Sequence, residues 1–419
     1  MNILLFVIFA HVFLLLYCLF IRHYHYLEPP VIMLIAWTCS LLFYLLNYNS
    51  YEQFGNTVFL LILLGSITFV ISYELLKNIL VKVSNTNLNI LEKKNADIFL
   101  VNMKTLSFLV IINGVATLIG VLESLSIYQA FNINNNFLLT LRYAQNYGDF
   151  SFGILEYFFL LSQFTTFFIN ILINFIISDN KTLKKLKVLR ALSFLISIIN
   201  IILSTGRTTI LLFIIGLITT TYLLGNKKIK KIHLISSLII FVFLFGLYSF
   251  VLNKGVSSNG NLLTDLYYNI SFYLSSGIQS LDFLIANKDS LMTGGLFTFR
   301  TLFAILNQIG INVEVVNLVK EFTPTNLSSN VYSVYEIYLR DFGFAGVFLI
   351  QFLLGIIYAY VFNRLKNGKI KYLLIYSMLM YSLVMQPFQD QYFSLLSTYI
   401  QIIIITFIFF NTKIFFRRL

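Results

Sequence analysis

Asn330-Val-Tyr-Ser-Val-Tyr-Glu-Ile-Tyr-Leu-Arg-Asp-Phe-Gly343 ends the one long polar interruption in a chain that is otherwise mostly membrane-like hydrocarbon. The interruption covers residues 253–342, whereas ordinary connections run to about 4–6 residues. It is rich in Asn, Ser, Thr, Tyr and Gly. Its aromatic and aliphatic content is too high for a disordered segment. On both sides lie apolar runs near the length of about 20 residues that crosses a bilayer core. If the chain does chemistry, it is expected where this polar stretch meets the membrane border.

Composition supports that division. Of 419 residues, 58% are hydrophobic and 11% charged, against about 25% charged in a soluble domain. The fold class expected is all-α: a single polytopic membrane domain over 1–419, with 253–342 as one large helical extracytoplasmic loop within it. About eleven spans are expected, near 3–21, 31–47, 57–76, 105–123, 153–177, 191–204, 209–224, 234–252, 343–362, 372–388 and 392–410. The first run lacks a basic flank ahead of it and a small-residue cleavage site, so it reads as a retained span rather than a signal peptide.

The net charge of +12 follows topology rather than a nucleic-acid stripe, and no nucleic-acid partner is expected. Of the 29 basic residues, all but Arg142, Arg207, Lys254, Lys288, Arg300, Lys320 and Arg340 fall in one alternating set of loops. The positive-inside rule makes that set cytoplasmic. The amino terminus is then outside, the carboxyl terminus inside and the long loop outside. The outer face is rich in arginine, whose planar fork suits phosphate and carboxylate.

The inventory excludes several chemistries. Cys18 and Cys39 sit in apolar runs and offer neither a disulfide framework nor a thiolate site. The histidines are His11, within the first span, and His23, His25 and His233 on the cytoplasmic side. An outer His-based metal site and a Ser–His–Asp triad are therefore not expected, and a carboxylate-held Mg²⁺ has no motif behind it. There is no Gly-Lys-Ser or Gly-Lys-Thr phosphate loop, and no cofactor is expected.

Three outer features remain. Glu336 and Arg340, four apart on an expected helix, read either as a surface ion pair or as part of a cavity face with Tyr332, Tyr335 and Leu339. Asp341 stands beside Arg340, and either carboxylate suits a general base. Arg207, in Ser204-Thr-Gly-Arg-Thr-Thr209, either snorkels to the interface or opens a helix whose free N–H groups favour an anion. Within the loop, 262–286 reads as an amphipathic helix, and Leu296–Ile309 as a second, shorter helix carrying Arg300 after the Gly294-Gly295 break.

Two stretches, Ser204-Thr-Gly-Arg-Thr-Thr-Ile-Leu-Leu211 and Asn330-Val-Tyr-Ser-Val-Tyr…Asp341-Phe-Gly-Phe-Ala-Gly346, together with this topology, resemble the Wzy-type polymerases of O-antigen and capsular polysaccharide. The resemblance implies a metal-independent, GT-C-like glycosyltransferase in a bacterial cytoplasmic membrane. It would move a growing glycan from undecaprenyl pyrophosphate onto a lipid-linked repeat unit, alongside a flippase and a chain-length regulator. Arg142, Arg207, Arg300 and Arg340 would grip pyrophosphate, with Asn330 and Tyr335 at the substrate, and Glu336 or Asp341 would be the acceptor's base. A lipid-linked oligosaccharide flippase would be expected to have short loops throughout. An O-antigen ligase would be expected to use an outer-face histidine.

Overall fold

The computed structural model describes residues 1–83, 99–131, 136–147, 150–175, 180–223, 262–287, 292–317, 320–411 and 415–418. The expected span 234–252 and the start of the long loop lie outside the described residues. The described helices are α1 (Asn2–Leu16, continued by a π-turn over Tyr17–Ile21), α2 (Pro29–Leu46), α3 (Thr57–Val83), α4 (Met103–Phe131), α5 (Phe137–Tyr147), α6 (Leu155–Phe175) and α7 (Asn180–Leu203). They continue with α8 (Arg207–Tyr222), α9 (Leu262–Ala286), α10 (Arg300–Gln308), α11 (Tyr335–Lys366), α12 (Tyr372–Val384) and α13 (Leu396–Asn411). Phe99–Val101 and Phe416–Arg418 form a short antiparallel pair.

Seven of these helices are long and apolar enough to cross a membrane: Asn2–Ile21, Pro29–Leu46, Thr57–Leu80, Met103–Phe131, Leu155–Asn174, Asn180–Leu203 and Tyr335–Lys366. Thr208–Tyr222, Tyr372–Val384 and Leu396–Phe410 are shorter apolar helices. The chain is therefore a helical protein of polytopic membrane type. The basic run Lys181–Arg190, expected as a loop, forms the first turns of α7, since lysine and arginine are good helix formers. The expected outer loop 124–152 holds the end of α4 and all of α5.

Chain contacts gather into two compact units. The first comprises Met1–Leu88, Val256–Lys366 and Leu379–Ile400. Here α3 and α11 run side by side in the same direction. Gly65 lies under the ring of Tyr335, while Gly355 lies on Phe69 and Ser72, so a Cβ at either glycine would overlap its neighbour. Such small residues let membrane helices approach closely. α9 fastens to α2 through Ser40 Oγ, which donates to the Leu274 carbonyl at 2.5 Å. The turn after α12 is tied in by Trp37 Nε1 donating to Gln386 Oε1 (3.2 Å) and by Val334 N–H donating to the Gln386 carbonyl (2.8 Å). Asp390 anchors that turn, accepting from Tyr338 Oη (2.7 Å) and from the amides of Tyr392, Phe393 and Ser394. At the other end of α3, buried Glu28 takes Lys77 at 2.6 Å, Lys366 at 3.7 Å and the Tyr73 hydroxyl at 2.9 Å.

α11 is interrupted once. Gly343 has φ +64° and ψ −161°, a region essentially reserved for glycine that costs other residues about 1–3 kcal/mol. The segment Tyr335–Phe342 is thus a separate two-turn helix, and the long apolar helix starts beyond it, where the sequence places the span start at 343.

The second unit comprises Asn89–Gly255, Asn367–Met378 and Gln401–Leu419. Hydroxyl and amide groups join α4, α6 and α7. Thr166 Oγ1 lies 2.7 Å from Ser193 Oγ and 3.0 Å from Ser197 Oγ. Asn200 Nδ2 donates to Ser162 Oγ at 3.0 Å, and Asn113 Nδ2 to Thr165 Oγ1 at 3.2 Å. Between apolar helices such bonds supply cohesion of about 0.6 kcal/mol each. A cluster of Ile127, Leu141, Ala144, Phe152, Phe159 and Leu203 seats α5 beside the end of α7.

Candidate functional site

The polar stretch leading into α11 builds an ionic group around Glu336, in the first turn of Tyr335–Phe342. Its side chain is 1% exposed, and one carboxylate oxygen meets Arg340 Nε at 2.6 Å while the other meets Lys320 Nζ. The Arg340 contact is the expected i, i+4 pair. Lys320 comes from the irregular segment before the helix. The Tyr332 ring centre lies 5.5 Å from Lys320 Nζ and 5.6 Å from Arg340 Cζ, and the Phe297 ring 5.2 Å from Arg340 Cζ. Both cations are thus held by one carboxylate and by aromatic faces. Burial pushes the Tyr332 hydroxyl's pKa up, with Arg340 opposing.

Asp341 is 2% exposed and holds a turn. Its oxygens accept from Thr293 Oγ1, from Phe297 N–H at 3.2 Å and from Thr298 N–H at 2.6 Å. Thr293 N–H and Gly294 N–H in turn donate to the carbonyls of Arg340 and Asp341 at 3.0 and 3.2 Å. Asp341 therefore clamps 293–298 against the end of the short helix and so places Phe297 over Arg340. Arg300 is half-buried at the start of α10, with its Nε donating to the Val316 carbonyl at 2.6 Å; burial lowers its pKa. It steadies the strand of loop leading toward Lys320.

The expected cavity face of Tyr332, Tyr335, Glu336 and Leu339 divides. Tyr332 stands beside the ions, but Tyr335 and Leu339 are fully buried. The Tyr335 ring stacks on Trp37 at 5.1 Å between ring centres and covers Gly65. Its place is in helix packing, because one residue of helix turns a side chain by about 100°. Asn330 is half-buried, two residues before Tyr332.

In the second unit, Arg142 is half-buried on α5. Arg207 opens α8, and its side chain lies outside what is described. Gln145 joins these two segments. Its Nε2 donates to the Leu203 carbonyl at 3.1 Å, and its Oε1 accepts from Thr205 Oγ1 at 2.6 Å. Thr205 has φ +47°, a left-handed conformation rare for a β-branched residue. Ser204 Oγ and Thr209 Oγ1, 2.7 Å apart, close the turn. Leu141–Tyr147 and the quoted stretch Ser204–Thr209 are thus one local assembly.

Lys320 and Gln145 were missed as site residues by sequence reasoning. Lys320 lies sixteen residues before Glu336 with no helical period linking them; the only signal was its place among the few outer cations. Gln145 lies three residues after Arg142 but carries no charge to draw attention. Among the described residues no group of three or more His, Cys, Asp or Glu is placed to hold a metal. The chain matches no family model, no curated protein and no solved structure.

Proposed function

We propose that the protein is a membrane glycosyltransferase that joins polyprenyl-diphosphate-linked oligosaccharide repeat units outside the cytoplasmic membrane, with the lipid diphosphate as leaving group. The finer architecture proposed with it is GT-C-like, with eleven crossings, the amino terminus outside and the carboxyl terminus in the cytoplasm. The observation that carries the reading is the Lys320–Glu336–Arg340 group. It places two cations and one buried carboxylate at the start of a long apolar helix, at the end of the polar stretch. That position is where a lipid-linked anion presents its diphosphate, and a polar cluster there favours function over anchoring.

In this reaction the acceptor hydroxyl loses its proton to the Glu336 carboxylate as its oxygen bonds to the anomeric carbon of the donor. The anomeric C–O bond breaks, and its electron pair leaves on the diphosphate. Lys320 and Arg340 stabilise the charge that builds there. Arg142 and Arg207 keep the phosphate-binding role that the resemblance implies for them; within the second unit Gln145 ties their segments together. Asp341 serves as the clamp that keeps Phe297 on Arg340, leaving Glu336 as the better-placed base.

Glycan length on gels tests the reading. Arg207→Ala is expected to leave membrane insertion unchanged and to reduce polymer to single repeat units. An unchanged ladder refutes the phosphate role. Loss of all repeat-unit export in a deletion strain would point to a transporter instead.

A further inference from the structure

The two cations of the ion group share one carboxylate: among the described residues Lys320 and Arg340 both pair with Glu336, and no other carboxylate pairs with either cation. Asp341, adjacent in sequence, carries its own formal charge but gives its oxygens to two amides and a threonine hydroxyl rather than to either cation. Lys320 and Arg340 carry more N–H donors than one carboxylate takes up, and an incoming anion can use the remainder.

Exposure gives the order of approach. The Lys320 and Arg340 side chains are 19% and 18% exposed, whereas Glu336 is 1% exposed. The cations form a rim and the carboxylate a floor. A phosphoryl group presents two oxygens in much the same way as a carboxylate, so it can take the same two donors. Both cations also rest on aromatic faces, Tyr332 under each and Phe297 against Arg340. These faces hold them in position when their carboxylate partner changes.

We infer that Glu336 is a built-in substitute anion: a phosphoryl ligand displaces it from Lys320 and Arg340, and the displaced carboxylate becomes the free proton acceptor. Lys320 is thereby assigned as a ligand-binding residue. The inference rests on the glycosyl-transfer reading for the use made of the freed carboxylate, but the exchange itself is a binding event. It makes the base available only when the anion is seated, which couples deprotonation of the acceptor to occupancy by the donor.

The test is calorimetric titration of the full-length protein in nanodiscs, with inorganic pyrophosphate in one arm and vesicles containing a polyprenyl diphosphate in the other. Glu336→Gln removes the internal competitor. It should bind the anion about tenfold more tightly than the unsubstituted protein, the gain expected if the carboxylate leaves the cations open about one tenth of the time. Lys320→Met should weaken binding, and the double variant Lys320→Met/Glu336→Gln should lose the gain. Tightening in both arms supports exchange with a free or lipid-borne diphosphate, and tightening in the vesicle arm alone supports exchange with the lipid.

A purely structural ion group predicts that Glu336→Gln binds no more tightly and only melts earlier; that result overturns the inference. Where Glu336→Gln does not fold, unchanged affinity in a folded Lys320→Met protein overturns it equally. Exchange that fails in a protein still making polymer leaves the glycosyl-transfer reading standing. Exchange that succeeds in a protein making none removes that reading and keeps the anion site.

Discussion

Replacing Asp341 with asparagine separates a clamp from a base. Asp341 accepts from Thr293 Oγ1 and Phe297 N–H on one oxygen and from Thr298 N–H, at 2.6 Å, on the other. An asparagine has a single acceptor oxygen, so its NH₂ must face at least one of these donors. The side chain is 2% exposed, so water does not readily replace the lost bond. Leaving a buried amide unsatisfied costs about 1–3 kcal/mol. At about 2 kcal/mol the 293–298 turn should open about 30-fold more often. Hydrogen exchange of the Phe297 and Thr298 amides measures this directly. Because the turn carries Phe297 over Arg340, polymer formation should fall in the same variant. Unchanged exchange at both amides alongside abolished activity would refute the clamp and restore Asp341 as a candidate base.

Gln145→Leu should leave the Leu203 carbonyl and the Thr205 hydroxyl without their partner and destabilise the 204–209 turn by about 1–3 kcal/mol; limited proteolysis and shortened polymer would show it. Gly343→Ala, at φ +64° and ψ −161°, should lower stability by about 1–3 kcal/mol, read as an earlier thermal transition in detergent. Asp282 on α9 is 2% exposed and accepts the Phe54 and Gly55 amides at 3.0 and 3.4 Å; burial raises its pKa above 3.8. The folded protein then holds a proton that the unfolded chain has released, so stability falls as pH rises from about 3.8 through the raised value. The slope is at most about 1.4 kcal/mol per pH unit. Asp282→Asn should remove that slope from melting curves taken across this range, and an unaltered slope assigns it to another group.

The sequence by itself determined the elements that hydrophobic length and period encode. Among the described residues seven of the apolar runs became long helices and three became shorter ones, α9 formed over Leu262–Ala286 as its periodicity required, and the Gly294-Gly295 break preceded α10. It also determined the Glu336–Arg340 pairing, because four residues is one helical turn. What lay across non-local contacts was invisible in it. The helix at α5 was hidden in a polar, Asn-rich context and is held by packing on Leu203 and Phe159. Lys320 reaches Glu336 by the path of an irregular loop. Tyr335 turned inward because Gly65 on α3 leaves room for its ring beside Trp37. Asp341 became a clamp because positive φ at Met292, Gly294 and Gly295 folds the chain back over it. A sequence records periodicity and composition along one dimension. Which buried charges share an oxygen is decided only when separate segments compete for the same small space.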